Sequence, residues 1–189
     1  FNSQSVIGVG ITNITDDGST NMGMPTGATA SLGNQSGATV GITHYQTGQP
    51  ANSVSYRGVE NLWGNLWQFV DGINIKDNRP WIADHGFESD LFGPPYQDAG
   101  VTLPNANGYA ADVAVAGNLD HAFLPSALGG STTTKLCDYY YQNSGNRIAL
   151  LGGYWSSGSF AGAWFWNLSS AASNVDRSFG ARLLYVGGD

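Results

Sequence analysis

Three histidines, His44, His85 and His121, are the first residues to test for catalysis or metal binding. They lie far apart, and none sits in an HExxH or HxH setting that would bring two imidazoles to one ion. Asp84-His85 and Asp120-His121 could each orient a ring, yet no GxSxG elbow or other serine motif supplies a nucleophile for it. Each histidine therefore reads as a surface or loop residue. Glu60 and Glu88 are the only glutamates, and no spacing among the aspartates picks out a glycosidase-type acid and its partner. Asp77, Asn78 and Asp84, or Glu88 and Asp90, carry oxygens hard enough for calcium, but none belongs to a twelve-residue calcium loop. They read as solvated turn residues. Gly8-Val9-Gly10 lacks the third glycine and following helix of a phosphate cradle, and no GxxxxGK occurs. The single cysteine, Cys137, excludes an intrachain disulfide framework and a cysteine-based zinc site. The expectation is no enzyme, no metal and no cofactor.

What remains is a concentration of rings and small polar residues near the C-terminal end. Tyr154-Trp155-Ser156-Ser157-Gly158-Ser159-Phe160 runs into Ala161-Gly162-Ala163-Trp164-Phe165-Trp166-Asn167. Three consecutive aromatics place at least one ring on each face of a strand. Ser, Asn, Gly, Tyr and Trp are the residues that binding loops favour, because large rings bring contact area at low entropic cost. Trp155 and Phe165 are expected in the core, with some exposure at Tyr154, Phe160, Trp164 and Trp166.

Composition narrows the partners. Of 189 residues only 11% are charged, against about 25% in an ordinary soluble domain. Seven basic and fourteen acidic residues, net −7, leave no electrostatic footprint for nucleic acid. No apolar run approaches the ~20 residues that cross a bilayer as a helix, so membrane insertion is not expected. The chain opens at Phe1 without a basic segment leading into an apolar one, which predicts no signal peptide and suggests a trimmed product or a fragment.

The elements that must hold these residues are mostly strands. Alternation predicts a strand over residues 5–11, with shorter ones over 28–33 and 38–45. In residues 57–64, Val59, Leu62 and Trp63 fall at i, i+3 and i+4, which predicts a short helix. From Trp67 the period becomes two, with Trp67, Phe69, Asp71, Ile73 and Ile75 on one side. A turn at residues 76–80 and a return strand from Trp81 complete a hairpin. Residues 84–130 read as loop, anchored by Ala122-Phe123-Leu124-Pro125. Strands over 135–142, 147–155, 161–168 and 178–186 read as a closing antiparallel meander. One domain is expected over 1–189, with a core from 55 and N-terminal strands before it.

Several of these stretches resemble a known family. Trp63-Gly64-Asn65-Leu66-Trp67-Gln68-Phe69-Val70-Asp71-Gly72, and Leu151-Gly152-Gly153-Tyr154-Trp155 followed by Gly180-Ala181-Arg182-Leu183, resemble C-type lectin-like domains of the formylglycine-generating-enzyme type. Residues 55–65, Phe123-Leu124-Pro125-Ser126, Cys137-Asp138-Tyr139-Tyr140-Tyr141 and Phe165-Trp166-Asn167-Leu168 resemble phage and prophage structural proteins, including receptor-binding proteins and variable proteins diversified by retroelements. The resemblance spans about residues 54–186 and implies an α+β, C-type lectin-like fold of short antiparallel strands, long loops and few short helices. The family's enzymes use a cysteine pair, with copper in their aerobic form; one cysteine here implies a binder. By the same resemblance Gly152, Gly153, Trp155, Gly180 and Arg182 are scaffold, while Tyr154, Ser156, Ser159, Phe160, Trp164, Trp166, Asp176 and Arg177 face the ligand. The implied setting is a virion surface, on a phage tail or capsid, with a host-surface protein or carbohydrate and other virion proteins as partners, and homo-oligomeric display. The alternative is a head or tail decoration module without a dedicated receptor. A calcium-dependent lectin is a narrower version of the first.

Overall fold

The computed structural model describes residues 9–18, 22–35, 37–115 and 122–182. Among these residues twelve strands occur, in the order β1 (Ala38–Thr43), β2 (Pro50–Tyr56), β3 (Val59–Glu60), β4 (Trp67–Lys76), β5 (Arg79–Ile82), β6 (Gln97–Asp98), β7 (Gly108–Val113), β8 (Pro125–Leu128), β9 (Tyr139–Gln142), β10 (Asn146–Leu151), β11 (Trp166–Leu168) and β12 (Phe179–Gly180). β1, β2 and β3 make a small sheet. The others form a nine-stranded sheet in the order β6-β5-β4-β10-β11-β9-β7-β8, with β12 beside β4, curled into a half-barrel.

The expected α+β, C-type lectin-like fold is overturned: the structure is nearly all β, with 34% strand and 4% helix. Its helical pieces among the described residues are two single 3-10 turns, Ala30–Leu32 and Gly158–Phe160. The helix expected over residues 57–64 is replaced by β3 between two turns. Arg57 and Asn61 both take positive φ, 51° and 50°, and left-handed residues cannot propagate a right-handed helix. The apolar spacing there arises from the turns, which sink Trp63 completely and leave Val59 at the surface. Residues 28–33, expected as a strand, turn because the Glu60 carboxylate accepts the Gly27 and Ala28 N–H groups, at 2.7 and 3.2 Å. The strand expected over 5–11 falls mostly outside the described residues, as does the end of the one expected over 178–186.

The hairpin of β4 and β5 forms where alternation placed it, but β4 does not keep one face throughout. Its pairing with β10 jumps from Val70–Ala149 to Asn74–Ile148, a bulge centred on Gly72. There φ is 82°, and a Cβ would lie 2.5 Å from the Ala83 carbonyl oxygen, so only glycine fits. The bulge exposes Phe69 and Asp71 while burying Ile73, Asn74 and Ile75. The closing meander is also corrected. β11 inserts between β10 and β9 and runs parallel to β9; β12 runs parallel to β4. The 14-residue passage 152–165 between β10 and β11 carries the chain to that place, and the loop expected over 84–130 contains β6, β7 and β8.

The stretch at residues 63–67 works as a knot. Trp63 is fully buried, and at Gly64 (φ 74°) a Cβ would sit 2.5 Å from the Ile11 carbonyl oxygen. Asn65 accepts the Met24 N–H (2.7 Å) and donates to the Met24 carbonyl (3.0 Å). Ile14 donates to the Trp155 carbonyl (2.8 Å) and Gly158 to that of Thr12 (2.7 Å). The N-terminal segment is thereby stitched to the Trp155 turn, with Ile11, Ile14, Met22, Met24 and Trp155 packed as one cluster. No helix of the described residues is long and apolar enough to cross a membrane.

Candidate functional site

β9 and β11 are the strands on which the candidate site is built. Their parallel pairing sets Trp166 beside Tyr140 and Asn167 beside Tyr141. Because successive side chains point to opposite faces, Tyr140 and Trp166 line one cleft while Tyr141 and Asn167 line another.

The first cleft is apolar, about 360 Å³. Tyr56, Phe123, Tyr139, Tyr140, Trp164 and Trp166 contribute rings, with Leu62, Val113, Pro125 and Leu136 between them. Among the described residues that line it the one carboxyl, Asp138, is 6% exposed. One Asp138 carboxylate oxygen accepts the Trp164 N–H at 3.2 Å. Burial pushes the carboxyl up to about 6, against the pull of that bond. The Trp166 indole N–H is buried without a hydrogen-bond partner. Phe123 has φ 51°, an outlying conformation for a bulky residue, and its half-exposed ring lies 4.6 Å from that of Trp164.

The second cleft is polar, about 490 Å³. Trp67, Tyr141, Tyr154 and Phe179 supply ring surface; Asp16, Asn167, Ser169, Asn174, Asp176, Arg177 and Ser178 supply donors and acceptors. Trp67 and Tyr154 stack at 6.2 Å and 22°. Asp176 accepts the Ser178 hydroxyl (2.6 Å) and N–H (2.8 Å), and these bonds hold its carboxyl below the usual range. Arg177 pairs with Asp16 across the mouth, both side chains nearly three-tenths exposed. Asn167 accepts from the Ser169 N–H and hydroxyl.

The expected ligand-facing residues are thus divided. Tyr154, Asp176 and Arg177 line the polar cleft, and Trp164 and Trp166 the apolar one. Trp166 is only 3% exposed and belongs to the core as much as to the cleft, which corrects the expectation of an exposed ring. Phe160 packs its ring 4.2 Å from Tyr139 in an aromatic cluster. Ser156, just before the Gly158–Phe160 turn, and Ser159, within it, are exposed.

Of the scaffold positions, Trp155 is fully buried; Phe165, the other ring expected in the core, is 1% exposed. Gly152 donates to the Phe165 carbonyl and accepts from the Gly64 N–H. Gly153 is buried, and Gly180 pairs with Gln68. The Arg182 guanidinium ties Gln68 to the Glu60 and Asn61 carbonyls.

The catalytic candidates are scattered. His44 lies in the β1–β2 loop, as one arm of the surface-or-loop expectation has it, but its side chain is buried, with its Nδ1 accepting the Thr47 N–H. His85 pairs with Asp84 on an exposed loop, and Asp120-His121 lie outside the described residues. Among the described residues no three His, Cys, Asp or Glu side chains gather to hold an ion. Cys137 is buried, and burial pushes its thiol up, away from the reactive thiolate.

Sequence reasoning missed Asp138, Phe123 and Tyr139 as cleft residues, and Asn167, Ser169 and Ser178 in the polar cleft. The signal for Asp138 was a lone carboxylate between Leu136-Cys137 and Tyr139-Tyr140-Tyr141, an apolar run with no reason to hold a charge. No family model matches the chain, and no curated protein matches its sequence.

Proposed function

We propose that this chain is a ligand-binding domain of a phage virion protein, non-enzymatic, which recognises a host-surface glycan or protein through the polar cleft. The observation that carries this is the cleft itself. It sets ring faces beside two carboxylates, a guanidinium, two amides and several hydroxyls in about 490 Å³. Ring faces stack on the apolar side of a sugar, and convergent donors and acceptors read its hydroxyls. The likeness of the motifs at 55–65, 123–126, 137–141 and 165–168 to phage and prophage structural proteins supports the virion setting.

The test is binding of the labelled protein to an array of bacterial surface glycans, with Tyr154→Ala and Arg177→Ala alongside. A glycan bound by the wild type is expected to lose about tenfold or more in affinity with either variant. Binding that both variants retain would remove the polar cleft from the site.

A further inference from the structure

A guanidinium in a glycan-sized cleft is the group that would ordinarily take an acidic sugar, since its fork matches a carboxylate. In the polar cleft that group is already engaged. Of the chain's seven lysines and arginines, Arg177 is the only one that lines the cleft. Its Nη2 donates to Asp16 Oδ1 at 2.5 Å. The same oxygen accepts the Gly18 N–H at 2.9 Å, so the turn at residues 16–18 holds the carboxylate in place. Asp176 is a second carboxylate within the field of the same guanidinium. Two carboxylates thus share one guanidinium, and the described side chains of the cleft carry an excess of one negative charge. The remaining hydrogen-bonding capacity has a definite sense. Asp176 Oδ1 takes both bonds from Ser178, so Oδ2 is the acceptor it can offer a ligand. Asn167 Oδ1 takes both bonds from Ser169, so its Nδ2 amide is the donor it can offer. Hydroxyls, which both donate and accept, suit this pair; a carboxylate only accepts.

We infer that the polar cleft takes uncharged sugar residues and turns acidic ones away, and that Asp16 sets this choice by engaging Arg177. The inference rests on the reading of this cleft as a glycan site and adds to it the class of sugar. An acidic sugar would bring a third carboxylate to one guanidinium, a repulsion that weakens as salt screens it. A neutral sugar brings hydroxyls to Asp176 and Asn167 and an apolar face to the half-buried Tyr154 ring. Arg177 still has N–H donors for hydroxyl oxygens, because its bond to Asp16 uses Nη2 alone. Asp16 is therefore a specificity-determining residue that need not touch the sugar.

The probes are the methyl glycosides of glucose, galactose and mannose, each matched with its uronic acid, which carries a carboxylate in place of the CH2OH group. They are titrated at neutral pH and followed by the side-chain N–H resonances of Asn167 and Arg177. A neutral member is expected to saturate and to bind at least about tenfold tighter than its uronic acid at about 20 mM salt. That ratio is expected to shrink about threefold or more at about 500 mM salt, which a purely steric rejection would not do. Asp16→Asn keeps an oxygen for Gly18 and Arg177 while removing the charge, and is expected to lower the ratio about fivefold or more. Thermal melts establish that the variant is folded, and the salt series on the wild type tests the same charge without any substitution. A uronic acid that binds the wild type as tightly as its hexose, a ratio indifferent to salt, or a ratio that folded Asp16→Asn leaves unchanged would overturn this inference and leave the glycan reading standing. No binding by any of the sugars up to about 50 mM, with no glycan bound on the array, would overturn both.

Discussion

The two clefts share a pair of strands and differ in almost everything else. Tyr140 and Trp166, on one face of β9 and β11, are part of the main core cluster as well as the cleft wall. On the other face, Asn174, Asp176 and Arg177 come from the loop between β11 and β12, at the surface. The charges are opposed in the same way. Burial raises the carboxyl of Asp138, whereas hydrogen bonds from Ser178 lower that of Asp176. A wall that is also core cannot change without moving the fold; a wall of loop side chains can. In that sense the loop side of the polar cleft is the variable wall of this molecule, able to change without moving the fold, and the apolar cleft the fixed one.

The largest effect should come from attacking the fixed wall. Trp166→Ala removes a ring that is 3% exposed and should lower unfolding free energy by about 3–5 kcal/mol in chemical denaturation. Tyr154→Ala, which removes a half-buried ring from the variable wall, should cost no more than about 2 kcal/mol. Equal losses would mean that both walls are core and would erase the distinction.

The second effect is a pH dependence of opposite sign in the two clefts. Asp138 binds its proton more tightly folded (about 6) than unfolded (3.8). Its stabilising contribution is full below the unfolded value and is lost as pH rises through about 6. The shift of about two units sets an upper limit of about 3 kcal/mol lost between pH 4 and pH 8. Asp138→Asn should be the more stable protein at pH 8, with the difference from wild type shrinking toward pH 4. For Asp176, with its carboxyl lowered, the contribution is present at neutral pH and is lost as pH falls through the folded value. Asp176→Asn should thus be the less stable protein at neutral pH, with the difference shrinking in acid, so that its effect is opposite in sign to that of Asp138→Asn. Two profiles with the same slope would contradict the opposed environments.

How much of this could be read from the chain varies by element. The β4–β5 hairpin was legible because Trp67, Ile73 and Ile75 carry a strong period of two. The bulge within it was not, since Gly72 is required by the nearby Ala83 carbonyl, a tertiary contact. The helix expected at 57–64 failed because apolar spacing cannot show that Arg57 and Asn61 sit at positive φ. Tyr154, Asp176 and Arg177 were legible as site residues from their types, a ring and two charges in glycine- and serine-rich surroundings. That they are separated from Trp164 and Trp166 by the thickness of a sheet depends on β11 inserting between β10 and β9, and nothing in a local pattern specifies a parallel partner.

A smaller effect tests how the variable wall is held. Ser178 is 6% exposed and gives Asp176 both a hydroxyl and an N–H bond. Ser178→Ala removes the hydroxyl bond and should cost about 1 kcal/mol. It should also move the carboxyl resonance of Asp176 to titrate at higher pH in NMR, since that bond is the largest cause of its lowering. An unmoved titration would mean that the loop between β11 and β12 is organised by the Arg177–Asp16 pair instead.

The smallest effect marks where the variable surface ends. Ser156 precedes the 3-10 turn Gly158–Phe160 and Ser159 lies within it, and both side chains are exposed. They line neither of the two clefts. Ser156→Ala and Ser159→Ala should each change stability by no more than about 0.5 kcal/mol. They should also leave glycan affinity within about twofold, where Tyr154→Ala loses about tenfold. The two outcomes have different structural meanings. If the serines are silent, recognition is confined to the cleft, and the Trp155 turn serves only to fix Tyr154 above Trp67. If either serine carries a tenfold loss, the ligand reaches past Tyr154 onto the 3-10 turn, and the variable wall includes a segment stitched to the N-terminal segment through the Gly158–Thr12 hydrogen bond. In that case the division between fixed and variable walls would follow the burial of each side chain, not the face of the sheet from which it projects.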